Sequence, residues 1–118
     1  MVFTKYGREL IRDYISTNIV SVAFGSSGSP DYTEQEDITL GAEFLRIDKS
    51  STDTSRRATV IFETIVPTTM GIGSLFREVG LFNTSVDNAG SVIARSVYPT
   101  IEKTDIYEVN FVYSIKIV

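Results

Sequence analysis

Asp31, Glu34, Glu36 and Asp37 form the densest run of possible hard-cation ligands in this 118-residue chain. A calcium loop of the EF-hand kind places oxygen donors at alternating positions around a central glycine and closes on a glutamate. Here Gly28 stands before the acids, so the spacing reads as a solvated loop. Gly71-Ile72-Gly73 opens like a dinucleotide fingerprint, but Phe76 occupies the place of the third glycine, and no strand–turn–helix context follows. It reads as a turn. Serine and threonine are plentiful, yet the chain has neither histidine nor cysteine. That removes the Ser-His-Asp triad, thiolate chemistry and the commonest general base. A serine–lysine pair would have to use Lys5, Lys49, Lys103 or Lys116, none of which lies in a recognisable motif. Carboxylate-pair hydrolysis needs two acids facing each other across a cleft, and Glu43, Glu63 and Glu78 are scattered over separate elements. The expectation is a non-enzymatic protein with no catalytic residue, cofactor or metal site.

Aromatic side chains on a sheet can stack nucleotide bases, and Tyr107, Phe111 and Tyr113 invite that reading. Their neighbours Glu108, Asn110 and Val112 bring no positive charge, and the net charge of −4 offers phosphate no bulk attraction. They read as core. A carbohydrate-binding β-sandwich would need exposed aromatics along a groove. Tryptophan is absent, and Tyr32 and Tyr98 are the exposed candidates.

The elements that must carry these residues come from periodicity. Thr4 is a suitable N-cap for a short helix over 5–16, with Tyr6, Leu10, Ile11 and Tyr14 on one stripe and Arg8, Glu9, Arg12 and Asp13 facing away. Residues 19–24 form a β-rich run that breaks into a long Gly/Ser/Pro and acidic loop over 25–37. The stretch 38–47 fits a strand or a helical turn, and 49–55 reads as a loop. Strands follow over 57–66, closed by Pro67, and over 75–82 and 92–98, a hairpin pair whose second arm ends at Pro99. From Tyr107 to Ile117 apolar and polar residues alternate strictly, which demands a long strand with one buried face. An edge strand of that length is a hazard unless paired, so it is expected to complete a sheet with a neighbouring copy. The fold class is therefore mainly β: an antiparallel sandwich or barrel-like sheet of about six strands with one short N-terminal helix, in a single domain over 1–118. Apolar and charged fractions of 42% and 22% suit such a domain. No stretch approaches the ~20 apolar residues of a membrane helix, and no secretion signal is expected.

Two segments carry a resemblance. The first ends in Leu40-Gly41-Ala42-Glu43-Phe44-Leu45-Arg46, an L-x-x-E-x-x-R element that follows the helix, the strand and the Gly/Ser/Pro loop. The second is Phe76-Arg77-Glu78-Val79-Gly80-Leu81-Phe82, which resembles an R-E-[IV]-G-L-F element. Together with the turn at 87–90, the strand 92–95 and the alternating C-terminal strand, they are similar to tail-collar, tail-fibre attachment and baseplate-type proteins of tailed bacteriophages. The resemblance implies a virion structural protein of the tail region, assembled in the host cytoplasm. Its partners would be further copies of itself and neighbouring tail proteins, with no membrane and no sequence-specific nucleic acid. A capsid-decoration or neck role is the alternative. The chain carries no repetitive shaft, which favours an adaptor, collar or connector over host recognition. Glu43, Arg46, Glu78 and Arg95 are expected to form two structural ion pairs, because a partly buried acid persists only with a partner. Gly80 inside an apolar strand marks a bulge or a close approach. The candidate assembly surface is the loop 25–37, with Ser26, Ser27, Ser29, Asp31, Tyr32, Glu34 and Glu36 expected to order against a neighbour.

Overall fold

Thr4 caps the helix as its position suggested: its hydroxyl accepts the Gly7 N–H at 3.0 Å. In the computed structural model, which describes residues 1–27 and 39–118, α1 runs Lys5–Asn18 and ends where Ile19 turns extended. Seven strands follow among the described residues: β1 Ser21–Gly25, β2 Glu43–Asp48, β3 Ser51–Asp53, β4 Thr59–Val66, β5 Leu75–Phe82, β6 Ala94–Glu102 and β7 Val109–Lys116. The stretch 38–47 thus resolves as strand from Glu43 onward. The seventh strand, β3, lies inside the segment read as a loop. Its three residues are too few to show a period, and they form a strand only by pairing with Ile61–Glu63 of β4.

All pairings are antiparallel. They build a four-stranded sheet in the order β2-β1-β5-β6 and a three-stranded sheet in the order β3-β4-β7. The two pack face to face as a sandwich and do not close into a barrel. β4 buries Val60, Phe62, Thr64 and Val66 on one face in strict alternation. The opposing sheet supplies Val22, Phe24, Phe76, Val79 and Leu81 to the same core. Phe24 lies at its centre, with ring centroids 5.2 Å from Phe76 and 4.7 Å from Phe111. β7 alternates as expected, but its inward residues are half-buried, because among the described residues only β4 pairs with it, on one side. Tyr107 lies before the strand and is exposed.

Pro99 does not end the second arm of the hairpin: β6 continues to Glu102. Proline removes a ladder donor, and an edge strand tolerates that loss at a bulge. β6 is an edge, and its register with β5 slips between the Phe76–Ile101 and Glu78–Val97 pairs, across Pro99. The same slip lets Phe76 and Val79, three residues apart, share the interlayer core. Beyond it, Glu78, Gly80 and Phe82 turn to the outer face of the four-stranded sheet, where Ala23, Leu40 and Phe82 form a second small cluster roofed by Val92.

The stripe expected from the sequence does not pack as a unit: Ile11 is half-buried, but its other members face outward. Ile15 packs on the main core and Ile19 is fully buried, while Tyr6, Leu10 and Tyr14 are 70%, 52% and 71% exposed. Arg12, expected to face solvent, instead lies against the loop before β4 and donates to the Thr54 and Arg56 carbonyls at 3.3 and 3.5 Å. Lys49 donates to the Ser16 carbonyl at 2.8 Å and sits 5.3 Å from the Phe62 ring centroid. The 12–15–19 face therefore docks through Ile15, Ile19 and the Arg12 side chain on carbonyl acceptors, a use of a long charged side chain that an apolar stripe cannot reveal.

Candidate functional site

Glu43 and Arg46 of the first motif segment, Glu78 of the second and Arg95 of β6 lie on the outer face of the four-stranded sheet, whereas Arg77 donates to the Thr100 hydroxyl. β1 lies between β2 and β5, and the register lines Arg46, Ala23, Gly80 and Arg95 up across the strands. The next row contains Glu43, Gly25 and Glu78. Two arginines on the rims thus face two glutamates, and the small residues between them leave a trough.

Glu78 crosses that trough. It is fully buried, and its Oε2 accepts from Arg95 Nη2 at 2.7 Å and Nε at 3.2 Å. Its Oε1 accepts the Ala42 N–H at 2.9 Å, tying β5 to the chain entering β2. Gly25 is required beneath it: a Cβ there would come within 2.7 Å of Glu78 Cγ. Glu43 and Arg46 close the other end through contacts of 2.6 and 3.2 Å. Arg46 also donates to the Thr84 and Ala89 carbonyls and lies 3.8 Å from the Phe82 ring centroid. Glu43 Oε2 accepts the Asn88 N–H at 2.9 Å. Gly80 is a close approach rather than a bulge, since a Cβ there would lie 2.8 Å from Leu40 and 3.0 Å from Val92.

Chemically this is a scaffold. Each carboxylate accepts hydrogen bonds at both oxygens, and each arginine is held by a carboxylate, so the cluster fixes the 39–42 and 84–90 segments onto the sheet. A depression of about 380 Å³ beside it is lined by Leu40, Glu43, Arg46, Phe82 and Asn88 among others. The charged groups of its wall are already paired with one another. Gly71 and Gly73 have φ of +68° and +79° and form a turn. Among the described residues no cluster of three or more acidic side chains could hold a metal ion. Of the loop proposed for assembly, Ser29, Asp31, Tyr32, Glu34 and Glu36 lie outside the described residues. Ser26 donates its N–H to the Ala42 carbonyl at 3.0 Å, and Ser27 packs against Gly41.

Tyr98 is not the exposed aromatic that a glycan groove would need. Its ring packs 5.8 Å from Phe111, and its hydroxyl is buried without a hydrogen-bond partner among the described residues, as is that of Tyr113. Burial raises both phenols, with the Glu78 charge adding to the effect on Tyr98 and Tyr98 adding to that on Tyr113.

α1 carries an exposed apolar stripe. Phe3, 61% exposed, continues the outward stripe of Tyr6, Leu10 and Tyr14, and a shallow groove beyond Tyr14 runs over Asn18, Asn83 and Ile93. The sequence pattern shows the stripe, with the charged residues facing away from it. The signal it lacked was that Arg12 could serve on the inward face. No helix among the described residues is long and apolar enough to cross a membrane. No protein-family model matches the chain, and no curated protein matches it.

Proposed function

We propose that this protein is a non-enzymatic structural component of a tailed-bacteriophage virion, acting in the tail region as an adaptor, collar or fibre-attachment module. The observation that carries the reading is the outward stripe of Phe3, Tyr6, Leu10 and Tyr14 on a helix anchored from its other side. Large apolar side chains gathered on one exposed face mark a protein interaction site more often than a free surface. The resemblance of the L-x-x-E-x-x-R and R-E-[IV]-G-L-F segments supplies the virion setting. The paired state of Glu43, Arg46, Glu78 and Arg95 supports a structural use of both motifs. On this reading the sandwich is a rigid body that presents α1, with the loop 25–37, to neighbouring tail proteins and further copies of the chain.

The test is a Tyr6→Ser/Leu10→Ser/Tyr14→Ser variant. All three side chains are exposed, so its urea midpoint should stay near wild type, within about 1 kcal/mol. Its incorporation into particles, measured by quantitative blotting of purified virions and by label position in electron micrographs, should fall sharply. A variant that folds and enters particles at the wild-type level would refute the role of this face. Absence of the wild-type chain from purified virions would refute the virion reading itself.

A further inference from the structure

We infer that the edge of β7 left unpaired among the described residues is a homotypic docking surface, to which a second copy of the chain adds its own β7, antiparallel, about a twofold axis at Val112. The inference rests on the assembly reading in supposing that copies of the chain meet. The geometry comes from the edge itself.

Among the described residues the sandwich has four edge strands, and three are blunted in the ways that discourage pairing. β3 is only three residues long. β6 carries Pro99, which offers no N–H, where its register slips. β2 ends on the exposed charge of Asp48, and its pairing is irregular at Gly25. β7 is long, regular and free of these devices except for one terminal charge. It keeps unbroken register with β4 over eight residues, contains neither proline nor glycine, and bears one charge, Lys116, at its far end. Among the described residues no strand pairs with its other side.

The backbone groups on that side can be named. Ile117 donates its N–H to the Ala58 carbonyl at 2.8 Å, so the hydrogen-bonded pairs with β4 continue as Ile115–Val60, Tyr113–Phe62 and Phe111–Thr64. The N–H and C=O groups of Asn110, Val112, Ser114 and Lys116 then point away from β4. In a twofold antiparallel pair these residues must bond to one another. An axis at Val112 sets Val112 opposite its symmetry mate, Asn110 opposite Ser114 and Glu108 opposite Lys116. Every contact on the exposed face then joins like polarity or opposite charge. On the inner face the same register sets Phe111 opposite Tyr113 and Val109 opposite Ile115. Moving the axis one residue either way puts Lys116 against Asn110 or Ile106, and Glu108 against Val118 or Ser114, losing the charge match.

A groove of about 270 Å³ follows this edge between the sheets, lined by Val79, Leu81, Ala94, Tyr113 and Ile115 among others. Because inner residues pair with inner residues, the twofold sets the two grooves side by side and narrows their access to water. The result is a continuous six-stranded sheet, β3-β4-β7 followed by its mirror order, with an isologous interface.

Sedimentation equilibrium of the full chain over a concentration series tests this. A reversible dimer is expected. Val112, 59% exposed, carries no core packing, and Val112→Lys sets two like charges on the axis, so it should raise the dissociation constant about tenfold or more. Glu108→Lys and Lys116→Glu should each weaken the dimer, and the double swap should restore it to within about twofold of wild type. A chain that stays monomeric, a dimer indifferent to Val112→Lys, or a swap that fails to restore association would each overturn the inference. Should Val112→Lys fail to fold, amide exchange on the wild type decides. The N–H groups of Asn110, Val112 and Ser114 must gain protection only as the dimer fills, and exchange independent of concentration overturns the edge pairing. A monomer that still enters particles would sink this inference and leave the adaptor reading intact. A dimer of this register that never enters particles would do the reverse.

Discussion

Replacing Arg95 with methionine removes a guanidinium while leaving the Glu78 carboxylate where it lies. Glu78 is 0% and Arg95 6% exposed at the side chain, so water cannot reach in to replace the lost partner without opening the outer layer. The carboxylate would keep a single described hydrogen bond, the Ala42 N–H at 2.9 Å. Stranding a buried charge in this way costs about 3–5 kcal/mol. For a chain of this length the unfolding entropy is about 0.25 kcal/mol/K, so the melting temperature should fall by about 12–20 °C. Glu78→Gln keeps an acceptor for Ala42 but loses the charge-assisted bonds to Arg95, at about 1.5–3 kcal/mol. The decisive variant is the double, Glu78→Gln/Arg95→Met. With the stranded charge gone, it should be more stable than Arg95→Met alone although it carries one more substitution. Urea melts followed by circular dichroism, with m values compared to confirm two-state unfolding, supply the numbers. An Arg95→Met variant within about 1 kcal/mol of wild type, or a double no better than the single, would refute the claim that this pair is a buried, mutually dependent unit.

Phe111→Ala should cost about 3–4 kcal/mol, since its ring contacts Phe24, Phe76, Tyr98 and Tyr113. Asn110→Ala, on the outward face, should cost less than about 1 kcal/mol, and equal effects in denaturant melts would contradict the facing of β7. Gly25→Ala must displace the Glu78 side chain and should destabilise by about 2–4 kcal/mol. Gly73→Ala, with open space around it but φ at +79°, should lose only about 1 kcal/mol, and the reverse order would be inconsistent with the close approach at Gly25. Folding holds the Tyr98 and Tyr113 phenols neutral beyond their ordinary range. Their contribution is therefore complete below the unfolded value of about 10 and is lost as pH rises above it. Tyr98→Phe and Tyr113→Phe, which remove hydroxyls without described partners, should be neutral or stabilising at pH 7 and shift alkaline unfolding to higher pH. An unchanged alkaline midpoint in the double variant would rule these phenols out as its cause.

Local pattern was enough for the elements whose signal is periodic or terminal. Thr4 as a cap, the strict alternation of β7, the strand closed by Pro67 and the hairpin around residues 83–93 were all legible, because each depends on backbone chemistry within a few residues. The opposite-charge content of Glu43, Arg46, Glu78 and Arg95 was legible too, since acids at predicted strand positions require partners. Their arrangement was not. Only the register of β1 between β2 and β5 brings both motif segments to one face, and only the slip opposite Pro99 turns Glu78 outward while keeping Phe76 in the core. The helix shows the same division. Its two faces both contain apolar residues, and the sequence determined that a stripe exists. Which face docks was decided by carbonyls at Thr54 and Arg56 that reward Arg12, acceptors more than forty residues away along the chain. Which edges stay open is likewise a property of sheet order, because a strand's second neighbour is set by how the layers assemble and not by the strand's own residues.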